Sequence, residues 1–205
     1  MLTIDQFSLT INDRNIKNLS CSLFQCSISN IVGLDNHFRN VILKSLAGFN
    51  KSFSGRILIK QNDIKESKQE YFNDIHYIDR TLHGFKEHLT VLDNLKHWAI
   101  IYGNELLIDT AFYFFELDEI ADCKFITLNP SQKQSVILSR LILDPKPIWY
   151  LNEPFQYLNK STHKKLSDML KVRSNEGGII IMNQPDRQLE IVNNEINLED
   201  FRYAI

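Results

Sequence analysis

Pro147-Ile148-Trp149-Tyr150-Leu151-Asn152-Glu153-Pro154-Phe155 is the stretch on which the fold turns. Ile148 to Leu151 form an apolar run unbroken by any polar side chain, the pattern of a strand buried on both faces. Asn152 and Glu153 follow at its end, and Pro154 stops the strand. A carboxylate at that point is either a catalytic base or simply a solvated or paired charge. The neighbouring segments decide between these readings.

Upstream, Ser131 to Leu143 has helical spacing, is opened by Pro130 in a favourable first-turn position, and ends before Asp144-Pro145. Downstream, Ser161 to Val172 reads as a helix presenting Leu166, Met169 and Leu170 inward, and Gly177-Gly178 leads into the strand Ile179 to Met182. Nearer the start, Ile28 to Val32 is a short apolar strand running into Gly33, followed by a helix from Arg39 to Ala47 that stops at Gly48. Strands alternating with helices imply a parallel sheet covered on both faces. The spacing predicts Ile28–Val32, Ile148–Leu151 and Ile179–Met182 as adjacent strands. Leu2 to Thr10 alternates like an edge strand, with Leu19 to Phe24 as its antiparallel partner across Asn12-Asp13-Arg14-Asn15. Ser54 to Lys60 and Ile75 to Ile78 add strands. From Thr90 to Phe115 the period becomes helical, so residues 90–143 are expected to form a small helical subdomain inserted in one domain, 1–205.

Composition narrows the function. At 205 residues, with 43% hydrophobic and 23% charged residues, the chain is long enough for one domain with a substantial core. A net charge of −2 and the lack of any Lys/Arg run argue against nucleic acid as a partner. No apolar stretch approaches the ~18 residues that span a bilayer, and Met1 to Asp5 do not read as a signal segment. The three cysteines, Cys21, Cys26 and Cys123, lack metal-ligand spacing and are expected to be buried thiols. His37, His76, His83, His88, His97 and His163 likewise show no ligand spacing. Abundant Asn, Ile, Lys and Phe are what A/T-rich codons produce, as in a reduced bacterial or an organellar genome.

The loop after the first buried strand reads Gly33-Leu34-Asp35-Asn36-His37-Phe38-Arg39-Asn40. A phosphate-binding loop there follows G-x-x-x-x-G-K-[ST]: glycines bring backbone N–H groups onto phosphate oxygens, the Lys reaches the outer phosphates, and the hydroxyl holds magnesium. Only the first glycine is present. Phe38 stands at the second glycine, where its ring is expected to crowd the phosphates. Arg39 keeps the charge of the Lys with a different shape. Asn40 offers an amide for the hydroxyl, and Asp35 adds negative charge where phosphates would arrive.

Further strings extend the pattern in order. Leu46-Ala47-Gly48, Ser54-Gly55-Arg56-Ile57, Leu89 to Leu95, Leu128-Asn129-Pro130-Ser131-Gln132, Val136 to Leu141 and the opening stretch all match one family at its own spacing. Over nearly its full length the chain resembles the ATP-binding subunits of ABC transporters, and among them the CcmA family of cytochrome c maturation and heme export. The resemblance implies a P-loop NTPase (RecA-like) α/β nucleotide-binding domain with an antiparallel β subdomain and an inserted helical one. It implies ATP and Mg²⁺ as cofactors, with Gly33, Asn36, Phe38, Arg39 and Asn40 at the Walker A position and Asn152 at the Walker B position. Asn40 and Asn152 stand at the magnesium positions, and Glu153 at that of the catalytic base. Thr81 aligns with the Q-loop, and Asn129, Pro130, Ser131 and Gln132 with the signature that grips ATP on a partner subunit. Pro185 replaces the switch His. No aromatic lies near Asp13-Arg14 to stack on adenine.

The resemblance also implies a membrane permease partner resembling CcmB, a homodimer or heterodimer, and a peripheral place on an inner membrane, cytoplasmic or mitochondrial-matrix side. Two functions stay open: an energy-coupling ATP-binding subunit with weakened hydrolysis, or a non-catalytic subunit that keeps the fold to dock on the permease. Residues 81–88, with Leu82, Phe85 and Leu89, are expected to supply the docking contact.

Overall fold

Isoleucine and leucine supply most of the buried strand positions, and polar turns separate the strands. In chain order the strands are β1 (Leu2–Ile11), β2 (Arg14–Leu23), β3 (Ser27–Val32), β4 (Ser54–Ile59), β5 (Asn62–Asp63), β6 (Ile75–Ile78), β7 (Ile148–Asn152), β8 (Ile179–Asn183) and β9 (Asn194–Asn197). The helices are α1 (Asn36–Leu46), α2 (Lys68–Asp74), α3 (Val91–Tyr102), α4 (Ile108–Phe115), α5 (Pro130–Leu138), α6 (Arg140–Leu143) and α7 (Lys160–Asn175). This computed structural model describes residues 1–12, 14–81, 84–185 and 189–202. Asp13, Leu82 and His83, to which the sequence reading gave places in a turn and a docking segment, lie outside the described residues.

The strands form two sheets, ordered β2-β1-β4-β5 and β6-β7-β8-β3-β9. The first is antiparallel; in the second, β7, β8, β3 and β9 pair in parallel. The three expected strands therefore do lie side by side, with β8 between β7 and β3. Each residue of β8 is buried, as a strand covered on both faces requires. β1 is not an edge strand: it is flanked by β2 and β4, and its register shifts accommodate the positive φ of Gln6. β5, α2 and β9 carry too few apolar residues to announce themselves by periodicity.

Contacts divide the chain into two compact units: Met1–Tyr77 with Pro147–Glu153 and Leu170–Ile205, and Ile78–Lys146 with Pro154–Met169. In the first, one apolar cluster draws on both sheets and on α1, and Phe38, 1% exposed, belongs to it. The expectation that Phe38 crowds the phosphate loop is thus corrected. At the third position of α1 its Cβ points to the core side, with Ile42 one turn further along the same face. Beneath the sheet the phenols of Tyr71 and Tyr150 meet at 2.8 Å, and the Tyr71 hydroxyl also donates to Leu46 O.

The second unit contains α3 to α6. The expected helix from Ser131 to Leu143 is interrupted at Ser139, whose hydroxyl donates back to Val136 O at 2.7 Å. Asn94, 1% exposed, receives Lys86 N at 2.8 Å and donates to Lys86 O and Leu89 O, closing the turn ahead of α3. Arg140 lies over the Trp98 ring at 3.7 Å and donates to the Tyr102 hydroxyl at 2.7 Å. Phe85 stacks on Phe125 with centroids 5.1 Å apart and is buried. Its side chain is core and cannot also be a docking contact.

The cysteine expectation is also corrected. Cys26 and Cys123 are exposed and Cys21 half-buried, because Cys26 takes positive φ in the turn before β3 and Cys123 sits in the turn leading into the bridge at Lys124.

Two outcomes follow from this packing. Phe38→Ala removes a fully buried ring, so urea denaturation is expected to show a loss of about 3–5 kcal/mol. Burial pushes the Tyr71 and Tyr150 hydroxyls well above the ordinary tyrosine range and raises Cys21 to about 11. These groups hold protons in the folded chain that the unfolded chain releases, near pH 8.5 for cysteine and near 10 for tyrosine. Their stabilisation is complete below those values and is lost as pH rises through the folded ones. The urea midpoint should stay level from about pH 7 to pH 8.5 and fall steadily above pH 10.

Candidate nucleotide site

At the C-terminal end of β3 the chain turns at Gly33, φ +79°, and enters α1. A Cβ on Gly33 would come within 2.7 Å of Asn197 Oδ1 and 3.1 Å of Glu199 N, so only glycine lets the late segment approach. The register of β9, which pairs Asn197 with Val32, brings that segment here. Glu199, in the 3-10 turn Leu198–Phe201, accepts a hydrogen bond at Oε1 from Leu34 N at 3.0 Å. Asp35 is the N-cap of α1 and accepts from Phe38 N at 3.1 Å; its carboxylate also pairs with Arg14. Two carboxylates of the chain itself thus sit on N–H groups of the loop and the helix end.

Arg39 folds back over this loop. Its Nη1 donates to Leu34 O at 2.8 Å and to Gly33 O at 3.3 Å, while Nε donates to Asn183 Oδ1 at 2.8 Å. Asn183 Nδ2 donates to Asn152 Oδ1 at 2.8 Å and to Asn36 Oδ1 at 2.9 Å. Asn36 Nδ2 in turn donates to Glu153 Oε1. Two amides, Asn183 and Asn36, therefore link the guanidinium of Arg39 to the carboxylate of Glu153 in one chain of hydrogen bonds, with Asn152 as a branch accepting from Asn183. Glu153 has φ +49°, a conformation that costs a non-glycine residue roughly 1–3 kcal/mol, and its N–H donates to Asn183 O at 2.8 Å. Asn40 stands apart: its Oδ1 is buried with no hydrogen-bond partner among the described residues.

The structure thus gathers Gly33, Asn36, Arg39, Asn152 and Glu153 around the ends of β3, β7 and β8. Phe38 is directed into the core, and Pro185, exposed just past β8, makes no hydrogen bond with the group among the described residues. Two contributors escape a reading of the sequence. Asn183 carries only the weak signal of a polar residue closing an apolar run. Glu199 lies 165 positions from Leu34 and carries none.

In the other unit, Asn129 caps α5 in a reciprocal box: its Oδ1 accepts from Gln132 N at 2.9 Å, and Gln132 Oε1 accepts from Asn129 N at 3.0 Å. Pro130 occupies the first turn with no N–H to offer, and Ser131 follows half-buried. Thr81 is exposed, and its backbone N–H and hydroxyl both donate to the buried Asp79 carboxylate. Among the described residues no group of three or more His, Cys, Asp or Glu side chains is placed to hold a metal ion.

Known proteins share this arrangement of elements. The ABC transporter family model matches residues 16–156. The cytochrome c biogenesis ATP-binding export protein CcmA of Rickettsia felis is 30% identical over 182 residues, covering 89% of this chain and 91% of that protein. The CcmA of Reclinomonas americana is 33% identical over 172 residues, 81% of this chain and 76% of its own length. Among solved structures, an ATP-binding subunit of an ABC transporter superposes with a TM-score of 0.83 at 18% identity, covering 97% of this chain and 85% of that one. A dimeric bacterial ABC transporter cassette gives a TM-score of 0.81 at 18% identity, covering 97% and 94%. The chain belongs to the ABC transporter family, among its ATP-binding subunits of the CcmA kind.

Proposed function

We propose that this chain is the cassette subunit of an ABC transporter-like complex for cytochrome c biogenesis, serving heme export or release, and that its nucleotide loop is held closed by its own side chains. The observation that carries the second half is the pair of carboxylates, Asp35 and Glu199, on the N–H groups of Phe38 and Leu34. In a phosphate loop those donors attract an anion from solution; here a polyphosphate would have to displace two negative groups and meet their charge.

Mg-ATP does not fit the residues as they stand. Magnesium beside a nucleotide is usually held by waters, phosphates and one or two carboxylates, whereas Asn152 is neutral, attracts the ion more weakly, and already accepts from Asn183 at its Oδ1. Arg39, at the lysine position, spends its donors on Gly33 O, Leu34 O and Asn183. The capping box closes the end of α5 in the same manner. These features favour a subunit whose contribution is docking over one that turns over ATP, although Glu153 keeps the place of a base. Its partner in this reading is a membrane permease resembling CcmB, met as part of a homodimer or heterodimer. The chain then sits peripherally on an inner membrane, on the cytoplasmic or matrix side; among the described residues no helix is long and apolar enough to cross a membrane.

Calorimetry with purified protein and Mg-ATP tests the closed loop. The wild-type chain should bind more weakly than about 1 mM, and a micromolar constant, about −8 kcal/mol, would overturn the reading. The double variant Asp35→Ser and Glu199→Gln, which keeps a cap on α1 and removes both charges, should bind at least tenfold more tightly.

Docking is tested at the exposed residues Lys86, Glu87 and His88, since Phe85 is core. Reversing charge at Lys86 and Glu87 should shift the protein from permease-containing membranes into the supernatant at unchanged thermal midpoint. Retention of the folded variant on those membranes would refute the assigned surface.

A further inference from the structure

The helical unit carries a groove that the nucleotide site does not use. The groove is lined by Leu92, Ile108, Phe112 and Tyr113, with Asp109 and Asp118 on its rim, and encloses a cavity of about 370 Å³. It runs on past Tyr113 and Asp118 into a second hollow of about 600 Å³ bordered by Glu116 and Glu119. Asp109, Phe112, Tyr113 and Glu116 recur at the spacing of one face of α4 and the residue that caps it.

Two observations indicate what this groove takes. Tyr113 is 82% exposed, an aromatic ring left in solvent beside half-buried Leu92 and Ile108. From His97 to Cys123 the sequence has six acidic residues, Glu105, Asp109, Glu116, Asp118, Glu119 and Asp122, and no Lys or Arg. The cation that does border the groove, Lys165, is held by Glu116 Oε1 at 2.6 Å and Phe114 O at 3.3 Å. An apolar floor with a predominantly acidic rim, whose bordering Lys165 is paired with Glu116, complements an occupant that is apolar on one side and basic on the other.

We infer that this groove is a docking site for a basic amphipathic segment of a partner protein, seated by apolar anchors on Tyr113 and Phe112 and oriented by its cations against Asp109 and Asp118. A helix supplies that pattern, with anchors at i, i+3, i+4 and i+7 and lysines or arginines flanking them. An anionic lipid surface would be repelled by the rim, and no simple cation uses the apolar floor. Among the described residues of 81–88 none lines the groove, so the inference stands apart from the permease contact proposed above.

The test uses the full-length chain and a fluorescein-labelled 16-residue model peptide with leucines at helical i, i+3, i+4, i+7 spacing and lysines elsewhere. Fluorescence anisotropy should give saturable binding at 50 mM salt that weakens at least tenfold at 0.5 M, as screening shortens the reach of the rim charges. A scrambled peptide of equal composition should bind at least fivefold more weakly. Tyr113→Ala and the pair Asp109→Asn with Asp118→Asn should each weaken binding at least fivefold, whereas Glu66→Gln with Glu70→Gln, an equal loss of charge elsewhere, should change it less than twofold. Equal binding of the scrambled peptide, or of Tyr113→Ala, would overturn the proposal as general charge attraction. So would a dimer in sedimentation that Tyr113→Ala dissolves, which would assign the face to a second copy, or tighter binding to phosphatidylglycerol vesicles than to the peptide.

Discussion

A helix begins with backbone N–H groups that have no partner within the helix, and something must accept from them. ABC cassettes that bind nucleotide leave such donors to phosphate at the loop before the first helix and at the signature helix. Here the chain supplies the acceptors itself. Asp35 caps α1, Glu199 reaches Leu34, and Asn129 and Gln132 close α5 on each other. Other features of the site follow from that choice. Once carboxylates take the loop donors, a nearby cation stabilises them, and Arg14 pairs with Asp35. The loop carbonyls also take a donor, and Arg39 reaches two of them with a planar fork that a lysine ammonium cannot match.

The sheet end behaves in the same way. Where a magnesium site gathers negative oxygens, this chain gathers amides, and an amide carries both a donor and an acceptor. Asn183 and Asn36 therefore stand in series between Arg39 and Glu153, and Asn152 accepts from Asn183 beside them. A carboxylate at position 152 would still accept from Asn183 but would place a second negative charge beside Glu153.

The fold was legible because its signals are local and apolar. Ile148 to Leu151 and Ile179 to Met182 announce buried strands by themselves, and their adjacency to Ile28 to Val32 follows from the alternation with helices. The site was legible only where a residue lies in the contiguous loop or at a strand end. Phe38 shows the limit: its place in the sequence suggested a ring among phosphates, but one helical turn fixes its Cβ toward the core. Phe85 was misplaced for a similar reason, since an apolar residue in a polar stretch reads equally as contact surface or as core. Glu199 was invisible, because only the pairing of β9 with β3 brings it to Leu34.

That dependence on distant pairing also decides how the site can change. The groups around Gly33 share partners: Asn183 bonds Arg39, Asn36 and Asn152, and Asn36 bonds Glu153. Residues within one network do not contribute independently, so single replacements leave donors or acceptors of their neighbours unmet. Asn152→Asp alone would deprive nothing of an acceptor but would set its charge against Glu153, and Arg39→Lys alone would release Leu34 O and Asn183 Oδ1 together. On the proposed reading, a change at the acidic groups, the guanidinium or the amides is therefore felt by the others, because they share hydrogen-bond partners.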